Sequence, residues 1–231
     1  ERMLEKDKAR ISAIHAAIGG VRTPHTTDGR LPYYFDANGR YETKETFLRL
    51  LDHLRAIGAF EQVAIIEEPF PETAEMDVRD IPVRLAADET AHTDHHAIER
   101  IERGYRAIAV KTIAKTLSMT FRIASAAHAR GVPCFCADLT VHPILVDWHK
   151  NFAARLAPFP GLGLGLLESN GHQNYRDWAQ MVHHHPRADA PWTRVQNGVY
   201  ELGPEFYAES GGIFEPSPHF EALVAPPAGT H

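Results

Sequence analysis

Six ionisable residues recur along the chain, each directly after a short apolar run: Asp36, Glu67, Asp88, Lys111, Asp138 and Glu168. Carboxylates are hard oxygen donors, and several converging on one point suit Mg²⁺, which keeps part of its shell for water or substrate oxygens. No apolar run ends in a His-x-His pair, which argues against Zn²⁺. A lysine near a divalent cation in a partly dry cavity has its pKa lowered and can act as a general base. A single Asp or Glu after a strand has a plainer use, because it can cap the helix that follows. Six in phase weigh toward chemistry.

The elements that must carry them follow from periodicity. The apolar runs 31–36, 63–66, 83–87, 107–110, 134–137 and 162–167 read as strands. Between them, Ile11, Ile14 and Ile18 repeat at helical spacing up to Gly19-Gly20, and Phe47, Leu50, Leu51, Leu54 and Ile57 make a stripe stopped by Gly58. Further helices are predicted through Ile98 and Ile101 to Gly104, over 121–129 and over 144–156. Short, continuously apolar strands separated by helices mean a parallel sheet covered on both faces, either doubly wound or a TIM-type barrel. No Gly-rich phosphate loop follows a strand, which disfavours a nucleotide-binding fold. In a barrel the C-terminal strand ends form the rim where active sites assemble.

Composition narrows the class. The 231 residues are 44% apolar and 23% charged, as in an ordinary globular protein, and the formal charge of −6 comes with scattered Lys and Arg. Nucleic acid and membrane are therefore excluded as expected partners, and a cytoplasmic location is expected. Cys134 and Cys136, two apart in Pro-Cys-Phe-Cys-Ala, read as reduced buried thiols. His183-His184-His185 reads as an exposed loop.

The strand-end motifs resemble a known family. Phe35-Asp36-Ala37-Asn38-Gly39, Ile66-Glu67-Glu68-Pro69, Ala87-Asp88-Glu89-Thr90 and Val110-Lys111 are similar, in order and spacing, to the enolase superfamily, nearest its mandelate racemase/muconate lactonizing enzyme group. The resemblance implies an α/β, TIM-type (β/α)₇β barrel with Mg²⁺ held by Asp36, Glu67 and Asp88, the first Glu of the pair being the ligand and Glu68 not. It implies that Lys111 exchanges a proton next to a substrate carboxylate, giving an enolate that the metal stabilises. Glu168 matches a position that faces the substrate carboxylate. Asp138, at the seventh strand's end, is a further catalytic candidate, and Asn38 and His172 are substrate-binding candidates. The substrate class is a small carboxylate: a sugar acid, hydroxy acid or amino-acid derivative. The reaction is racemisation or epimerisation, cycloisomerisation, or acid-sugar dehydration, and a homo-oligomer is expected. A metal-dependent hydrolase and a catalytically silent binding barrel are the alternatives.

Several departures carry expectations of their own. Lys6-Asp7-Lys8 belongs to the first helix rather than to the family's second-strand Lys-x-Lys, so the first strands and the N-terminal α+β capping domain are expected to be missing. Residues 1–182 are then strands three to eight of the barrel, and 183–231 a tail of loops and short strands packing against the capping domain. Lys115, in a loop lacking the family's Gly-Gly, is a rival to Lys111 but is expected outside the site or at its rim.

Overall fold

A computed structural model describes residues 2–137 and 140–225. Asp138 lies outside the described residues. The chain divides into two compact units. The first is built of residues up to Val110, of Lys115–Phe135 and of Leu156–Leu166; the second of Lys111–Ala114, of Cys136–Arg155 and of the chain from Leu167 onward.

The first unit is a parallel α/β sheet. Helix α1 (Arg2–Ile18) precedes strand β1 (Tyr33–Asp36), followed by α2 (Lys44–Ala56), β2 (Val63–Glu67), β3 (Leu85–Ala87), α3 (Asp94–Glu102), β4 (Ala107–Val110), α4 (Leu117–His128) and β5 (Cys134–Cys136). The sheet order is β1-β2-β3-β4-β5, and the pairs β1–β2, β2–β3 and β3–β4 run parallel. A doubly wound sheet reverses its order at a switch point, whereas a TIM-type barrel keeps chain order. The strictly sequential order is that of the barrel.

The helices form for local reasons. Phe47, Leu50, Leu51 and Leu54 give α2 one buried face, and Thr43 caps it by accepting the Thr46 amide. Thr93 and Thr116 cap α3 and α4 in the same way. Asp36 and Asp88 therefore do not cap the helices that follow them. All four residues of β4 are buried, as a strand covered on both faces requires.

Two expectations about the sheet are corrected. The segment between β2 and β3 holds no helix. Pro69, Pro71 and Pro82 interrupt it, and it packs irregularly through buried Phe70, Val78 and Ile81. The sixth predicted strand, 162–167, shrinks to two isolated bridges, a parallel one between Cys136 and Leu167 and an antiparallel one between Leu162 and Thr26. Its alternating Gly161, Gly163 and Gly165 weaken a strand for want of side chains to pack.

Gly104, after α3, has φ +106, and a Cβ there would come within 2.6 Å of the Arg79 amide nitrogen. Gly104→Ala is expected to cost about 2–3 kcal/mol, combining left-handed strain with a backbone clash. Gly58→Ala, at φ +78 with open space around it, is expected to cost only about 1 kcal/mol. Urea denaturation of the two variants checks the difference.

The second unit is organised around helix α5 (Pro143–Ala153), capped by His142, whose side chain accepts the Ile144 amide. Where loops and short strands were expected after His183, two short helices, Pro204–Glu209 and Pro218–Val224, flank a residue trio at Ser210–Gly212. A hairpin, Val195–Gln196 with Val199–Tyr200, turns on Asn197 and Gly198, both at positive φ. His185 is not exposed: its Nε2 lies 3.0 Å from Asp147 Oδ2, and both side chains are 1% exposed. Lys150 Nζ bonds Asp147 Oδ1 at 2.6 Å and the Trp192 carbonyl at 2.7 Å, and lies 3.7 Å from the Tyr200 ring centre. The histidine run had been read from its polarity alone, and the buried Asp147 that draws His185 inward lies far from it in sequence.

Both cysteines are free and buried, and burial pushes the Cys134 thiol up to about 12. No helix among the described residues is long and apolar enough to cross a membrane.

Candidate active site

The register of the sheet sets strand-end residues side by side. Asp36 is the direct partner of Glu67 across β1–β2, and Glu67 that of Ala86 across β2–β3, so Asp88 follows two positions later on the neighbouring strand's exit. In-register residues of adjacent parallel strands point to the same face. Glu67 and Asp88 are buried, at 2% and 1% exposure.

One oxygen each of Glu67, Asp88 and Glu89 lie within 4.8 Å of one another. Asp36 stands beside this group rather than in it. It is exposed, and Asn38 occupies both its carboxylate oxygens, through the backbone amide at 2.9 Å and the side-chain amide at 2.5 Å. Asn38, a substrate-binding candidate from sequence, thus spends its described bonds on Asp36.

The electrostatics of the group follow from this crowding. Burial first, then the neighbouring Asp88 and Asp36 carboxylates, push Glu67 well above the usual carboxylate range, against the bond that Tyr34 donates to Glu67 Oε2. Tyr34 is held edge-on against Phe135, with ring centres 5.5 Å apart.

Lys115 corrects the expectation from sequence. Its side chain is 4% exposed, and Nζ bonds Asp88 Oδ1 at 2.9 Å, the Asp88 carbonyl at 2.8 Å and the Ala109 carbonyl at 3.0 Å. The loop after β4 turns back toward β3, so a residue four positions beyond Lys111 reaches the acid at the end of the preceding strand. An ammonium has three N–H groups, and these three acceptors match them. Lys115 is therefore built as a fixed cation for Asp88 and the strand ends.

The ligand atoms that Glu67, Asp88 and Glu89 bring together are all carboxylate oxygens. That set fits Mg²⁺ or a similarly hard divalent cation.

Lys111 follows β4 directly and is half-buried in the second unit. Glu168 is also in the second unit: its amide donates to the Cys136 carbonyl at 2.9 Å, and Asn170 donates to Glu168 Oε1 at 3.4 Å. His172 is exposed within a single helical turn, Gly171–Asn174.

The family model described as enolase C-terminal domain-like matches residues 1–202. The chain belongs to that family. It falls in the enolase superfamily's mandelate racemase/muconate lactonizing enzyme group, and solved structures agree in fold. A protein from Sorangium cellulosum assigned to mandelate racemase/muconate lactonizing enzymes is 27% identical, with TM-score 0.57, over 74% of this chain and 44% of that one. The L-Ala-D/L-Glu epimerase from Bacillus subtilis is 19% identical, with TM-score 0.61, over 76% of this chain and 46% of that one. A mandelate racemase/muconate lactonizing protein from Herpetosiphon aurantiacus is 19% identical, with TM-score 0.58, over 72% of this chain and 44% of that one. The chain thus spans less than half the length of these structures. No sequence among the curated proteins matches it.

Sequence reasoning assigned no role to Tyr34 or Glu89 and set Glu68 and Lys115 aside. Tyr34 carried a usable signal, since two positions before Asp36 on a strand means the same face. Glu68 and Glu89 were visible as the second members of tandem acids. Lys115 carried none beyond its type, because its direction depends on a loop.

Proposed function

We propose that this chain supplies the metal and base machinery of a Mg²⁺-dependent enzyme that removes the α-proton of a small carboxylate substrate. The observation that carries the reading is the gathering of buried Glu67 and Asp88 with half-buried Glu89 at the exits of β2 and β3, where no helix follows β2 directly and the helix after β3 is capped by Thr93. Glu67 and Asp88 would hold the cation, with Asp36 at their side and Glu89 available as a further oxygen. When bound, the cation supplies positive charge to the substrate carboxylate and makes the adjacent proton more acidic.

Lys111 Nζ is the proposed base, taking that proton as a neutral amine. Lys115 is poorly suited to the role, because its N–H groups are committed to Asp88 and Ala109. Glu168 and Asp138 remain catalytic candidates, Glu168 as the acid against the substrate carboxylate, and His172 remains a substrate-binding candidate. The family supports racemisation or epimerisation, cycloisomerisation and dehydration alike. An all-carboxylate donor set gives no support to a hydrolase, which would use His ligands to activate water.

The test joins two measurements on the protein: Mg²⁺ titration by calorimetry, and NMR in D₂O with a panel of dipeptides, N-acyl amino acids and hydroxy acids. Saturable Mg²⁺ binding and metal-dependent loss of an α-hydrogen signal are expected. Absence of both would overturn the reading.

A further inference from the structure

We propose that Glu68 is a positioning residue for the carboxylate site, its buried side chain fixing the backbone of the 88–90 loop and so aiming Asp88 and Glu89. The inference rests on the Mg²⁺ reading above and adds to it a residue outside the ligand set.

Glu68 is 2% exposed. Its Oε2 accepts the amides of Asp88 at 2.8 Å and Thr90 at 3.2 Å, and Thr90 Oγ1 donates to it at 3.0 Å. All three donors belong to the loop that carries Asp88 and Glu89. Burying a carboxylate is costly, and here the cost is offset by bonds to a backbone that would otherwise lack partners on that side.

The main chain of Glu68 is equally committed. It sits at φ +38, where a residue with a side chain is strained, and persists only because its surroundings over-determine it. Its amide donates to the Ala86 carbonyl at 2.9 Å, and its carbonyl accepts the Gly39 amide at 2.6 Å. Gly39 lies at φ +67, and a Cβ there would come within 3.3 Å of the Phe70 carbonyl oxygen. One residue therefore ties together the exits of β1, β2 and β3, which carry Asp36, Glu67 and Asp88. The tandem Glu67-Glu68 divides the work: the first carboxylate joins the cluster, and the second holds the loop that brings the next ligands.

The experiment titrates Mn²⁺, as a spectroscopic stand-in for Mg²⁺, into the full chain by electron paramagnetic resonance. Amide hydrogen exchange at Asp88 and Thr90 is followed in parallel. Glu68→Ala is expected to weaken Mn²⁺ binding about 10–100-fold, the scale typical of partners that orient metal ligands, and to speed exchange at both amides. Glu68→Gln keeps an acceptor oxygen and the same length, and is expected to stay within about threefold of the parent. Thr90→Val removes only the hydroxyl that bonds the Glu68 carboxylate; it decides the matter if Glu68→Ala fails to fold, with an expected loss of about tenfold, outside the range expected of Glu68→Gln. Parent-like Mn²⁺ affinity in Glu68→Ala, or in Thr90→Val where that variant decides, would overturn the role of Glu68 and leave the Mg²⁺ reading intact. Failure of the parent itself to bind Mn²⁺ would overturn that reading, and this one with it.

Discussion

Lys111→Ala is expected to lower α-hydrogen exchange in D₂O by about 10²–10⁴-fold, the range that a positioned general base contributes. Divalent-cation affinity should stay near the parent's, because the metal is assigned to carboxylates. Lys111→Arg should fail almost as badly, since a guanidinium remains protonated at neutral pH and has no lone pair to offer. Lys115→Ala gives a different pattern. It strips Asp88 of a buried ion-pair partner and two hydrogen bonds, and the Ala109 carbonyl of a third, so folding stability and metal binding should change together with activity. Calorimetry, urea denaturation and NMR exchange on the two variants separate these outcomes. Unchanged exchange in Lys111→Ala, with folded and metal-competent Lys115→Ala inactive, would move the base to Lys115.

The second large effect is expected in the second unit. Asp147→Ala should destabilise the protein by about 3–5 kcal/mol, read as a fall in the urea midpoint. The variant leaves Lys150, with a side chain 3% exposed, buried without its carboxylate partner. Burial already lowers the Lys150 pKa, against the pull of Asp147, so removing Asp147 pushes it further the same way. His185 loses its neighbour too, and its Nδ1 is already taken by the Arg187 amide at 2.9 Å. The paired replacement Asp147→Leu with Lys150→Met removes both charges at once and is expected to recover much of the loss, because the penalty lies in the orphaned charge. A double variant as unstable as Asp147→Ala would show that shape, not charge, governs this cluster.

Much of the fold was legible because it rests on local pattern. Continuous apolar runs located β1, β2, β4 and β5 within a residue or two, and the charged residue closing each run located the rim. Glycines at positive φ ended α2 and α3 where expected, at Gly58 and Gly104. What escaped was decided by loops and distant partners. The 68–84 crossover has no period to read because prolines set its path. Lys115 was misplaced since four residues of loop can aim a side chain either way. His185 was taken for a surface residue because its partner, Asp147, lies on a helix nearly forty positions earlier.

The chain-order pairing of β1 through β5 also bears on how damage spreads. Each strand of the first unit meets chiefly the strand before it and the strand after it, and none waits for a distant segment to return. Such a sheet behaves as a nearly one-dimensional array, with stability carried by neighbour-to-neighbour interfaces. Its contacts span roughly one βα unit of sequence, which favours stepwise assembly from any early pair over a single late closure. A cavity cut into β3, as by Leu85→Ala, should therefore loosen β2 and β4 first and reach β1 only weakly. Residue-resolved hydrogen exchange would show that gradient as protection falling with distance along the sheet.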